Sequence, residues 1–152
     1  MPYESFRRIL VTTDFSEAGD RAIPHAFRMA ADHGAEVIVC HVIEPVIVPN
    51  PLYAQYYPGE LLSPDVLARA EADARAALEE RVPKDEALAQ VPYRIVIGQG
   101  TPAEEIVRLA QELGVDLIVI ATHGHTGLKH LLMGSVAERV IRHVPCAVLV
   151  VR

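Results

Sequence analysis

Ile118–Arg152, IVIATHGHTGLKHLLMGSVAERVIRHVPCAVLVVR, reads as strand, glycine-bearing loop, helix and final strand in one unbroken passage. Its first part, Asp116–Ala121, is an apolar run without polar alternation, the mark of a strand covered on both faces. Gly124, Gly127 and Gly134 fall in the loop that leaves this strand, a helix begins near Gly134 and Ser135, and Ala147–Val151 is an apolar terminal strand. Such a passage suits a phosphate cradle. Glycine lets the backbone approach an anion, and successive N–H groups with a helix N-terminus behind them offer donors and partial positive charge. Ser135 adds a hydroxyl. From His123 to His143 there are three cations, Lys129, Arg139 and Arg142, against Glu138 alone, so a chain of net charge −6 keeps one basic corner.

Upstream, the same alternation recurs. Ile9–Val11 is a short apolar run, followed after a polar turn by Ile23, Phe27, Ala30 and Ala31 at helical spacing. Asp14 and Ser16 stand where that strand ends and the helix begins, and either one suits an N-cap. Gly34 closes the helix in the manner of a left-handed C-cap, and Glu36–Val42 follows as a nearly continuous apolar strand. Between Glu44 and Pro64 lie five of the eleven prolines and three of the five tyrosines, which excludes regular helix or central strand there. The stretch is either a surface excursion pinned by Tyr53, Tyr56 and Leu61 or a flap over a ligand.

Pro64 opens a second amphipathic helix through Leu67, Ala70, Ala74, Ala77 and Leu78, and Tyr93–Ile97 reads as a third strand. Next comes Gly98-Gln-Gly100-Thr-Pro-Ala103, a GxGxxA match between strand and helix. The dinucleotide pattern belongs at the first strand–helix turn, with an acidic residue after the next strand, and here that strand ends in Thr122. A capping box explains more, with Thr101 as N-cap, Pro102 at the first helical position and Glu104 at the third. The helix continues through Ile106, Leu109, Ala110 and Leu113 to Gly114.

Strand and helix therefore alternate along the whole of residues 1–152, which implies a single-domain α/β fold. Its open parallel sheet is joined by right-handed crossovers, with helices on both faces. The ligand crevice of such a sheet lies beyond the carboxyl ends of the strands, placing Asp14, Val42 and Thr122 to Ser135 around one mouth. The totals agree: 152 residues fit one domain, and 51% hydrophobic content suffices for one core. No apolar run approaches the ~20 residues needed to cross a bilayer, and MPYESFRRILV carries charges where a signal peptide would be apolar, so a cytoplasmic location without membrane attachment is expected. The negative net charge argues against general affinity for nucleic acid. Cys40 and Cys146 each sit in an apolar run and suggest neither a disulfide framework nor a CxxC metal site.

Two familiar chemistries fail on spacing. His123-x-His125 lacks the further Cys, Asp or Glu ligands of a zinc site, and no HExxH or CxxC is present. Lys129 precedes Gly134 rather than following it, so GxxxxGK[ST] is absent and a standard phosphate-cleaving NTPase is disfavoured. No carboxylate pair for magnesium occurs in the passage, nor a base for water beyond Asp14 or a histidine, so binding is better supported than turnover.

The opening ILVTTDFSEAGDRAI and the closing ATHGHTGLKHLLMGSVAERVIRHVPCAVLVVR resemble the universal stress protein family, and the likeness covers essentially the whole chain. The nucleotide-binding branch carries G-x2-G-x9-G-[ST], and this sequence has Ala121-x2-Gly124-x9-Gly134-Ser135, with alanine at the first glycine. The resemblance implies a Rossmann-like sheet, similar to adenine nucleotide alpha hydrolases, of five strands in order 3-2-1-4-5. It implies a site for ATP, AMP or ADP, with or without magnesium. Asp14 and Val42 would meet the adenine and ribose end, with Thr12 beside them where many relatives have proline. Gly124, Gly134, Ser135 and Val136 would hold the phosphates, and Ala121, His123 and Gly127 would complete the cradle. The resemblance further implies a homodimer made by antiparallel pairing of Ala147–Val151, although an edge shielded by its own chain remains open. The function so implied is that of a dimeric sensor or regulator in the stress response. The alternatives are an interaction module that binds no nucleotide and a slow ATP hydrolase.

Overall fold

The computed structural model describes residues 5–44, 64–122 and 133–152. The proline-rich stretch after Glu44 and the loop holding His123, Gly124, Gly127 and Lys129 lie outside them. Five strands, β1 (Arg8–Thr12), β2 (Glu36–Ile43), β3 (Tyr93–Gln99), β4 (Leu117–Ala121) and β5 (Ala147–Val151), form one parallel sheet in the order β3-β2-β1-β4-β5. The helices are α1 (Glu17–Asp20), α2 (Ala22–His33), α3 (Pro64–Arg81), α4 (Pro102–Glu112) and α5 (Ser135–His143).

The strands' uninterrupted apolar runs serve two cores at once. Ile9, Val11, Val37, Val39 and Val119 pack with Ile23, Phe27 and Leu78 on the α2 and α3 side. Their neighbours Leu10, Ile38, Cys40, Ile118 and Ile120 pack with Ile106, Leu109, Ala137 and Val140 on the α4 and α5 side. Period-two alternation sends successive side chains to opposite faces, so a central strand covered on both sides needs an apolar residue at every position. Burial pushes the Cys40 thiol, at 0% exposure, up to about 12.

Several local expectations are sharpened or corrected. Gly34 (φ 68) and Gly114 (φ 62) take the left-handed conformation past α2 and α4, as C-terminal glycines do. Ala31 is exposed, and the buried stripe of α2 runs instead through Ala22, Ile23, Ala26, Phe27 and Ala30. Cys146 precedes β5 rather than lying within it, and is half-buried. Thr101 occupies the N-cap position of α4 and Pro102 the first helical one, yet the capping box does not form, because the Thr101 side chain makes no capping hydrogen bond. Glu104 lies 3.7 Å from Arg139 on the surface, which draws its carboxylate away from the helix start. Gly98 owes its identity to packing: a Cβ there would stand 2.7 Å from Glu105 Cγ of α4.

Candidate functional site

At the carboxyl ends of β1, β2 and β4, where the order of the strands reverses, a cavity of about 360 Å3 opens between the sheet and the first turns of α4 and α5. That position is where open α/β sheets bind their ligands, and the volume lies within the usual range for small-molecule sites. Its wall contains Thr12, Asp14, Val42, Ala121, Gly134, Ser135 and Val136, residues drawn from positions 12 to 136 and brought together by the topology. His123, Gly124 and Gly127 lie outside the described residues.

The β1–α1 turn is held by its own polar groups. The Ser16 hydroxyl caps α1 by accepting from the Gly19 N–H at 3.0 Å, which settles the choice between the two candidate caps. Asp14 stands one link behind: its Oδ1 accepts from the Ser16 N–H at 3.0 Å and from the Ser16 hydroxyl. Phe15, between them, has φ 67, the only positive φ among the described non-glycine residues. That conformation costs an ordinary L-residue roughly 1–2 kcal/mol, so the turn is maintained against strain. Gly19 is part of the arrangement, since a Cβ there would lie 2.6 Å from Asp14 Oδ1 and 3.1 Å from the Ser16 hydroxyl oxygen.

Across the cavity, α5 starts at Gly134, whose φ of −72 and ψ of 162 are ordinary extended values, and no side chain among the described residues caps this helix. The first N–H groups of an α-helix have no intrahelical partner, so Ser135, Val136 and Ala137 bring donors and the positive end of the helix dipole to the wall. The Gly134 N–H donates to the Thr122 carbonyl at 2.5 Å, tying the helix entry to the end of β4. Thr122 in turn donates its N–H (2.8 Å) and hydroxyl (3.3 Å) to the Val151 carbonyl at the end of β5.

Polarity therefore varies across the cavity. Asp14 and Glu44 are the acidic residues among the described ones lining it, and they suit hydroxyl and amine donors of a ligand. The α5 end suits an anion. Thr122, expected at this mouth from sequence, lines it too, and Thr13, His41, Glu44, Pro102, Ile106, Ile120 and Ala137 also line the cavity without having been singled out. Pro102 and Ile106 were legible only as the start and core stripe of a helix. Their place on the wall follows from how α4 crosses the end of β3. Among the described residues no group of three or more His, Cys, Asp or Glu is placed to hold a metal ion. Among them, too, no helix is long and apolar enough to cross a membrane.

Comparison with known proteins gives one answer. The Universal stress protein family matches residues 5–152. Universal stress protein MJ0577 of Methanocaldococcus jannaschii is 34% identical over 154 residues, covering 97% of this chain and 95% of the relative. Universal stress protein YxiE of Bacillus subtilis is 32% identical, over 97% of this chain and 99% of its own. The solved structure of MJ0577 superposes with a TM-score of 0.78 at 31% identity, covering 97% of this chain and 96% of that one. A universal stress protein solved in complex with cAMP superposes with a TM-score of 0.65 at 25% identity, covering 98% of both chains. With a match that spans nearly every residue and a sheet of the same order as the resemblance implies, the chain belongs to the universal stress protein family.

Proposed function

We propose that this protein binds an adenine nucleotide, ATP or the related AMP or ADP, in the strand-end cavity and acts as a homodimeric sensor or regulator in the stress response. The observation that carries the reading is the convergence of Asp14, Val42, Ala121 and Gly134–Val136 on one cavity, with a helix N-terminus that no described side chain caps at one end and carboxylates at the other. A nucleotide has the matching polarity: sugar hydroxyls and base amine as donors, phosphates as anions. The relative solved with cAMP supports the same ligand class.

In this reading Ser135, Val136 and Ala137 hold phosphate through backbone N–H groups. Asp14 and Glu44 accept from the sugar, and Val42 and Ile106 offer apolar contact to the base. Binding rather than turnover is the proposed role. Asp14 Oδ1 already accepts from Ser16, and among the described lining residues only Asp14 and Glu44 are acidic, which supports binding over an in-line hydrolytic site. Any hydrolysis of ATP is therefore slow.

Titration of the purified protein with ATP, AMP and cAMP tests the reading, paired with Gly134→Val. The parent saturates with at least one of them. Gly134→Val weakens binding by about tenfold or more, the scale of a ~1–3 kcal/mol steric intrusion, and melts close to the parent because its φ and ψ suit any residue. A parent that saturates with none of the three ends the proposal. Incubation with ATP and magnesium, followed by product analysis, separates binder from enzyme, since multiple turnovers lost on changing Asp14 or Ser135 would make it a hydrolase.

A further inference from the structure

The strained turn that carries Asp14 is braced from behind by a helix that contributes nothing to the cavity wall. His41, at the carboxyl end of β2, also borders the cavity, but its neighbours Cys40 and Val42 face α4 and α5, so alternation turns its ring toward the α2 and α3 side. There its ring stacks on Phe15 with centroids 4.1 Å apart, and Nδ1 donates to the Thr13 carbonyl at 2.8 Å. On the same ring of Phe15 lies the guanidinium of Arg81, from the last residue of α3, 4.8 Å from the centroid. Arg81 Nε also donates to Asp20 at 2.9 Å, and Asp20 accepts from the Thr13 hydroxyl at 2.7 Å. The Thr13 hydroxyl oxygen accepts from the Phe15 N–H at 3.0 Å, which closes the circuit. Arg81 is itself fixed to its own helix through the Ala77 carbonyl at 2.9 Å.

From this geometry we propose that Arg81 is a positioning residue for the nucleoside end of the cavity: it clamps Phe15 and Asp20 and so keeps the Asp14 carboxylate where a ribose hydroxyl meets it. The inference rests on the nucleotide reading above. A positive φ at a phenylalanine persists only where surrounding contacts over-determine it, and Arg81 supplies two of them, a charge on the ring face and an ion pair. The guanidinium is suited to both at once because it is planar and permanently charged. The side chains of Arg81 and Asp20 are 28% and 30% exposed, so their pairing is partly sheltered from solvent.

The test compares the parent, Arg81→Met, Asp14→Ala and the double variant by titration with ATP and with 2′,3′-dideoxy-ATP. The parent prefers ATP. Arg81→Met weakens ATP about tenfold and brings the ratio of the two affinities near that of Asp14→Ala, and the double variant binds no more weakly than Asp14→Ala alone. Arg81→Lys restores part of the loss by keeping the ion pair without the planar contact. General destabilisation would weaken both ligands alike and leave the ratio unchanged. A parent without preference for ATP, an unchanged ratio in Arg81→Met, or losses that multiply in the double variant overturns the positioning role while leaving nucleotide binding in place. A parent that binds neither ligand overturns both. Should Arg81→Met melt below the assay temperature, Phe15→Leu breaks the same link at the ring, and an unchanged ratio there overturns the proposal equally.

Discussion

Ala121 stands where the nucleotide-binding branch of the family carries glycine, and the backbone shows why alanine serves. Phe15 is the only described non-glycine residue with positive φ, so Ala121, the last residue of β4, has no need of glycine's left-handed freedom. Gly134, with φ of −72, has no such need either, so under the proposed function its lack of a side chain beside the cavity is what would count. Gly19 makes the converse case. Nothing in the sequence marks it, because its contact is made across a turn, yet a methyl there would press on Asp14 Oδ1 at 2.6 Å and the Thr13 hydroxyl oxygen at 3.0 Å. Gly19→Ala is expected to displace the Asp14 carboxylate and weaken ATP binding about tenfold, on the scale of a ~1–3 kcal/mol overpacking. Calorimetric titration checks it, and affinity equal to the parent's would remove Gly19 from the site.

Elements were legible wherever burial is two-sided or a stop signal is chemical. The apolar runs of β1, β2 and β4 declared themselves because both faces are covered, and Gly34 and Gly114 ended helices as their φ values require. What sequence did not reveal was the packing of one element on another. Gly98-x-Gly100 looks like a nucleotide fingerprint and does lead into the N-cap position at Thr101, but the two glycines answer to packing at Gly98 and to backbone conformation at Gly100. Gly98 admits Glu105 of α4 against β3, and Gly100 (φ 129) turns the chain between them. Glu105 has little freedom to withdraw, since its carboxyl is hydrogen-bonded by Arg108, which holds it below the usual carboxylate range. Gly98→Ala is therefore expected to lower stability by ~1–3 kcal/mol, seen as a lower urea midpoint with an unchanged slope. An unaltered midpoint would mean that α4 yields easily. The Pro102–Ile106 wall of the cavity, which α4 also carries, would then be softer than the contact implies.

At the scale of the whole molecule the two edges of the sheet differ, and the difference bears on assembly. Along β3, side chains of α3 reach the strand: Arg75 donates to the Ile95 carbonyl at 3.2 Å, Tyr93 donates to Glu79 at 2.8 Å and the Gln99 amide to Glu71. At the opposite edge, β5 pairs with β4 alone among the described strands, and its residues Val148–Val150 are only half-buried. An apolar edge of this kind invites pairing with another strand, whereas along β3 the helix α3 already engages the Ile95 carbonyl and the Tyr93 and Gln99 side chains. Dimerisation through Ala147–Val151 would extend the sheet and cover that apolar surface. Val151 also links this edge to the cavity through Thr122, so the two parts of the proposed function share a strand end. Light scattering after gel filtration should give the parent twice the 16.6 kDa of the chain. Ala147→Lys, at the exposed start of β5, should move the protein toward the single-chain mass without loss of fold, since a lysine on an edge opposes strand addition. A parent that runs at one chain mass at micromolar concentration would rule out the β5 dimer, and a dimer indifferent to Ala147→Lys would move its interface elsewhere.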